Sequence, residues 1–163
     1  MPIAKQFFAL PLVDHLLIAT VLIFNLVAPR LGMWAYSLFA LPGTVAHELA
    51  HFVVAFLLRA QPSFPNFIPK RDGDAWRLGS VQAAPNLITT IPIALAPFLL
   101  LPAGLWYAVS IMSDGTGWWY LIHAWIASTL LVASLPSRQD WFVVMPAFVC
   151  ALLVLGWLSY KIG

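Results

Sequence analysis

Long apolar runs broken at a few polar points dominate the chain. Runs of about 17–25 residues are long enough to cross the hydrocarbon layer as helices. Five are read as spans, at residues 10–28, 34–58, 86–109, 118–135 and 141–160. Pro29-Arg30-Leu31-Gly32 forms the turn between the first two. Residues 59–84 are different in kind, polar and punctuated by Pro62, Pro65 and Pro69 ahead of Lys70-Arg71-Asp72-Gly73-Asp74. Asp72-Gly73 is a favoured tight-turn pair, and the flanking residues 66–70 and 76–82 are expected to be the two short strands of a hairpin. The expected fold is therefore an all-α polytopic membrane protein, a single transmembrane domain over residues 1–163, with one short β-hairpin-like loop.

Composition supports that reading. Of 163 residues, 62% are hydrophobic and 9% charged, against about 45–50% and about 25% in soluble domains. Too little polar surface remains to face water, so the lipid bilayer is the expected solvent. The formal net charge is +2, and the basic residues form no stripe of the kind that holds nucleic acid, which is not an expected partner. Cys150, the single cysteine, lies in the last apolar run and is read as packing. The apolar stretch after Lys5 runs too far, and carries Asp14-His15 within it, to be a cleaved leader; it reads as a retained signal anchor.

With five spans, Lys5, Arg59, Lys70, Arg71, Arg77 and Arg138 fall on one side and only Arg30 and Lys161 on the other. The positive-inside rule then puts the N-terminus and the 59–84 loop in the cytoplasm, and the expected location is a bacterial inner (cytoplasmic) membrane. Trp34, Trp118, Trp119, Trp141 and Trp157 stand near span ends, as interfacial belts require.

Chemistry enters at His47-Glu48-Leu49-Ala50-His51. Histidines four apart on a helix share a face, about 6 Å apart at Cβ, so both imidazoles reach one ion. Glu48 lies about 60° round from His51 and can address water at that ion without being a ligand. This suits a zinc peptidase, in which the metal acidifies water and polarises a carbonyl while the carboxylate moves the proton to the leaving amine. Glu48 is the only glutamate of the chain, and two of the four histidines flank it. An ionisable group near the bilayer centre costs at least about 2.5–3.5 kcal/mol, so three together call for a compensating partner such as a metal ion. The alternative is polar glue between helices.

A catalytic zinc site needs a third protein ligand. Asp140 is the expected one, because it closes the proline-broken turn Ser134-Leu135-Pro136-Ser137-Arg138-Gln139-Asp140, which can fold back into a protein-lined cavity. His123 is the next candidate, ahead of Asp14, His15 and Asp114.

Taken together, His47 to His51 within a span, a short strand-like loop, a proline-rich intermediate span and a Pro136…Asp140 turn resemble the site-2 protease family of intramembrane zinc metalloproteases, over residues 34–141. The resemblance implies zinc ligands His47, His51 and Asp140, a catalytic Glu48, and a membrane-spanning protein as substrate. Gln139-Asp140-Trp141 stands where that family usually has Leu-Asp-Gly, and Ser134 stands near its expected Asn. No stretch resembles the PDZ domain that some members carry.

Other positions carry less. Asn86 opens the third span and is either a substrate-binding amide or a helix cap. Pro92, Pro97 and Pro102 kink that span beside the site. A free edge on strand 76–82 would accept a substrate by strand addition. The leading function is peptide-bond hydrolysis in or next to a membrane-spanning substrate. The alternative is a catalytically inactive relative acting as an accessory subunit of a membrane complex. A metal-ion transporter also uses buried His and carboxylates, but no inverted repeat accompanies them here.

Overall fold

Proline decides where the apolar runs stop being straight. The computed structural model describes residues 2–72, 75–84 and 86–162. In chain order it has α1 (Ile3–Phe8), α2 (Leu12–Val27), a 3-10 turn at Ala28–Leu31, α3 (Met33–Phe39) and α4 (Leu41–Leu57). Strands β1 (Lys70–Asp72) and β2 (Ala75–Arg77) follow, then α5 (Leu87–Ala94) and a 3-10 turn at Ala96–Leu99. The chain continues through α6 (Leu100–Tyr107), a π-helical turn at Ala108–Met112, α7 (Gly117–Ala133) and α8 (Arg138–Ile162).

Five separate spans do not form. Among the described residues, two helical runs are long and apolar enough to cross a membrane, Leu12–Arg30 and Gly117–Lys161. The expected second and third spans are each broken into a bent pair, by 70° at Ala40 and by 46° before Ala96, and counting each pair as one span gives four at most. The physical reason is the missing proline N–H. Pro42 stands at the start of α4 and Pro97 at the start of the second 3-10 turn, and each bend falls where that proline withholds a helix hydrogen bond. The expected fourth and fifth spans form one run of 45 residues, with α8 packing on α5 instead of folding back along α7.

The direction of the first span is corrected too. Alternating spans would set it antiparallel to the fourth, but α2 runs parallel to α7. The Tyr120 hydroxyl donates to the buried Asp14 carboxylate at the start of both helices, and Ile18 packs in one cluster with Ala124 and Ala127. A buried carboxylate without a donor is costly, so this pair fixes the sense of the helix. In consequence α1 packs on α6 and the Ala108–Met112 turn, at the opposite end of α7 from the 59–84 loop whose side it was expected to share.

α7 is the axis of the bundle. α4 runs parallel to it: Trp125 Nε1 donates to the Phe39 carbonyl at 2.8 Å, and His47 meets the Ala133 carbonyl about two turns further on. Gly43 lets the two helices touch, since a Cβ there would run into the Thr129 carbonyl and stand 3.1 Å from the Ala133 Cβ. α6 is antiparallel, with Gly104 against Leu131 and the Tyr107 hydroxyl 2.7 Å from His123 Nδ1. The interior is built largely of alanines, including Ala55, Ala108, Ala124 and Ala127, while Phe142 (72% exposed), Leu153 (69%) and Trp118 (82%) face outward. Small residues inside and large apolar ones outside suit a lipid surrounding, and the chain is a membrane-associated protein.

Residues 59–84 fold back on themselves. β1 and β2 pair antiparallel with Lys70 opposite Arg77 and Arg71 opposite Trp76. The ladder continues outside the strands through Asn66 and Ser80, Ser63 and Gln82, and Ala60 and Ala84. Gly73, half of the expected tight turn, lies outside the described residues.

Candidate metal centre

The site forms where α4, α5, and the turn into α8 meet. His47 and His51 lie one turn apart on α4, and Asp140 sits in the first turn of α8. Ser137 and Asp140 form a reciprocal cap: the Ser137 N–H donates to Asp140 Oδ2 at 2.6 Å, and the Asp140 N–H to Ser137 Oγ at 3.3 Å. The same carboxylate faces both rings, with Oδ2 3.5 Å from His47 Nε2 and Oδ1 3.4 Å from His51 Nε2. The two Nε2 atoms are 3.2 Å apart.

Hydrogen bonds on the far side of each ring fix its chemistry. His47 Nδ1 lies 2.8 Å from the Ala133 carbonyl and His51 Nδ1 2.7 Å from the Ile93 carbonyl. A carbonyl only accepts, so each Nδ1 carries a proton, and in the neutral form of each ring the lone pair is on Nε2, turned inward. Two lone pairs and a carboxylate thus converge on one point. A proton satisfies one of those contacts; a divalent cation satisfies all three. Edges of 3.2, 3.4 and 3.5 Å compare with about 3.3–3.4 Å for a tetrahedron with metal–ligand bonds of about 2.0–2.1 Å. The donor set fits a metal ion, and among the described residues these three are the group able to hold one.

Glu48 is buried beside them and lines the same cavity, of about 860 Å³. Its neighbour across the cavity wall is Gly79, in the segment that continues β2. Arg77, at the end of β2, lines the cavity as well and is the cation whose charge reaches Glu48. Residues 79–83 border the cavity; among the described residues the backbones of Gly79, Val81 and Ala83 make no hydrogen bond, whereas those of Ser80, Gln82 and Ala84 are paired with the 60–66 segment.

The other sequence candidates lie elsewhere. His123 is bonded to Tyr107, Asp14 to Tyr120, and His15 Nδ1 to the Pro11 carbonyl at 3.2 Å. Asn86 is the N-cap of α5, its Oδ1 accepting from Ile88 and Thr89 N–H at 3.0 and 2.9 Å, and it does not border the cavity. Thr90, one turn on, does. Sequence reasoning passed over Asn25 and Tyr36, which reach the cavity from α2 and α3. No local signal marks them, because the tertiary packing of α2 and α3 brings them there. The Ser137-x-x-Asp140 cap was legible, as its spacing is that of a capping box ahead of an apolar run.

His47, His51 and Asp140 thus form a site able to coordinate a divalent metal, with the arrangement of a metalloenzyme. Compared with models of known protein families, with curated proteins and with solved structures, the chain matches none.

Proposed function

We propose that this chain is a zinc metalloprotease of the site-2 protease kind, hydrolysing peptide bonds in or next to membrane-spanning segments of protein substrates. The observation that carries the proposal is the convergence of two Nε2 lone pairs and a carboxylate on one point, with a non-ligating glutamate in the same cavity. Bound there, zinc supplies a Lewis acid that makes water a nucleophile near neutral pH. Glu48 takes a proton from the attacking water and delivers it to the amide nitrogen as the C–N bond breaks, so that a carboxylate and an amine leave. Asp140 and the two histidine rings, clamped from behind by carbonyls, stay fixed during this transfer.

An extended polypeptide suits the cavity. The unpaired backbone edge at Gly79, Val81 and Ala83 offers strand addition, which holds a substrate by its main chain and sets its amide beside Glu48. Orientation follows from charge: Arg59, Lys70, Arg71, Arg77 and Arg138 belong to the cavity end and Lys5 to the other. On the positive-inside rule the cavity end faces the cytoplasm, and the N-terminal helix the opposite side.

The test is co-expression with single-span substrates and comparison with Glu48→Gln, which keeps the shape and both histidine ligands. Loss of the general base is expected to lower cleavage by about 10²–10⁴-fold with zinc retained. Trapping of uncleaved substrate by Glu48→Gln supports the enzyme. No cleavage by the parent chain, with an intact complex in both forms, supports the accessory subunit instead.

A further inference from the structure

We infer that Pro97 and Pro136 are positioning residues of the metal centre: each withholds an N–H and so frees the backbone carbonyl that clamps a histidine ring. The inference rests on the metal reading of His47, His51 and Asp140.

Inside an α-helix every carbonyl before the last turn is engaged by the N–H four residues on, so an imidazole finds a backbone acceptor only where a helix is ended. His51 nonetheless bonds the Ile93 carbonyl of α5 at 2.7 Å. The N–H that a continuous helix would bring to Ile93 belongs to residue 97. Pro97 has none, and it is fully buried where the helix bends into its 3-10 turn. His47 bonds the Ala133 carbonyl of α7 at 2.8 Å. The donors three and four residues on are Pro136, which has no N–H, and Ser137, whose N–H goes to Asp140 Oδ2 at 2.6 Å. One turn therefore does two things, emptying the carbonyl that holds the first ligand and capping the carboxylate that is the third. Pro102 in α6 is the contrasting case: the carbonyl it releases is that of Phe98, to which no imidazole is bonded.

The arrangement determines more than ring angle. An Nδ1–H held by a carbonyl leaves Nε2 as the only lone pair of the neutral ring, so the freed carbonyls select the tautomer that ligates. Restoring an N–H at residue 97 sets a backbone donor in competition with His51 for the Ile93 carbonyl.

The experiment uses the full-length chain in detergent and reads zinc affinity by chelator competition, with the visible absorption of the cobalt-substituted protein as a report on ligand geometry. Pro97→Ala is expected to weaken zinc binding about 10–100-fold, the usual effect of losing an outer partner, and to alter the cobalt bands. Lactic acid at residue 97, alanine-like but with an ester in place of the N–H, is expected to restore both. Pro102→Ala is expected to leave both at the wild-type values. A second variant keeps the proline and guards against a misfolded Pro97→Ala: lactic acid at residue 94 turns the Ile93 carbonyl into a weaker ester acceptor, and is also expected to weaken zinc. Wild-type affinity and spectrum in Pro97→Ala, or losses as large in the residue-97 ester or in Pro102→Ala, overturn the inference while leaving the metal reading intact. A wild-type chain without stoichiometric zinc overturns both.

Discussion

Gly79 lies directly against Glu48: a Cβ built on residue 79 would stand 2.6 Å from Glu48 Cγ and 2.8 Å from Oε1. No side chain fits there without moving the carboxylate. Gly79→Ala is therefore expected to retain zinc and lose cleavage, by about tenfold or more given the 10²–10⁴-fold at stake in the general base. Steady-state cleavage beside metal analysis checks this, and wild-type turnover in Gly79→Ala would show that the position of Glu48 does not matter.

Asp140 has two duties that substitution can separate. Asp140→Asn keeps an oxygen to accept the Ser137 N–H but removes the ligand charge, whereas Asp140→Ala removes both. Measured with chelator present, Asp140→Asn should melt near the wild-type temperature, and Asp140→Ala should be destabilised by about 1 kcal/mol, the usual worth of a helix cap. Both should lose zinc. Equal melting of the two variants would deny the cap.

Close approach of α4 and α7 at Gly43 sets the height of His47, one turn further along. Gly43→Val is expected to destabilise the chelated protein by about 1–3 kcal/mol, as overpacking does. Unfolding by denaturant would measure it, and an unchanged midpoint would contradict the packing described.

Parallel packing of α2 on α7 makes a sidedness prediction. In a Cys150→Ala background, Lys5→Cys and Thr116→Cys should react with an impermeant thiol reagent from one side of sealed vesicles, and Lys70→Cys from the other. Reaction of Lys5→Cys together with Lys70→Cys would restore the alternating topology and reject the Asp14–Tyr120 pairing.

What the sequence disclosed was local. Helical spacing brings His47 and His51 to one face, and the Pro136 turn was enough to single out Asp140, because each argument spans a turn or two of chain. Run length was a poor guide to spans, since Pro42 and Pro97 bend helices whose hydropathy is uninterrupted. The sense of α2 depends on a bond between residues 14 and 120, and no periodicity encodes a partner so far along the chain. Gly79 meeting Glu48 is hidden for the same reason: an isolated glycine in a loop says nothing of what approaches it.

Zinc content tests the account at its centre. Purified wild-type chain is expected to carry about one zinc, and the His47→Ala/His51→Ala double variant almost none, because removing two of three ligands leaves a single carboxylate. Stoichiometric zinc in the double variant, or none in the wild type under metal-replete conditions, would contradict the assignment of the site.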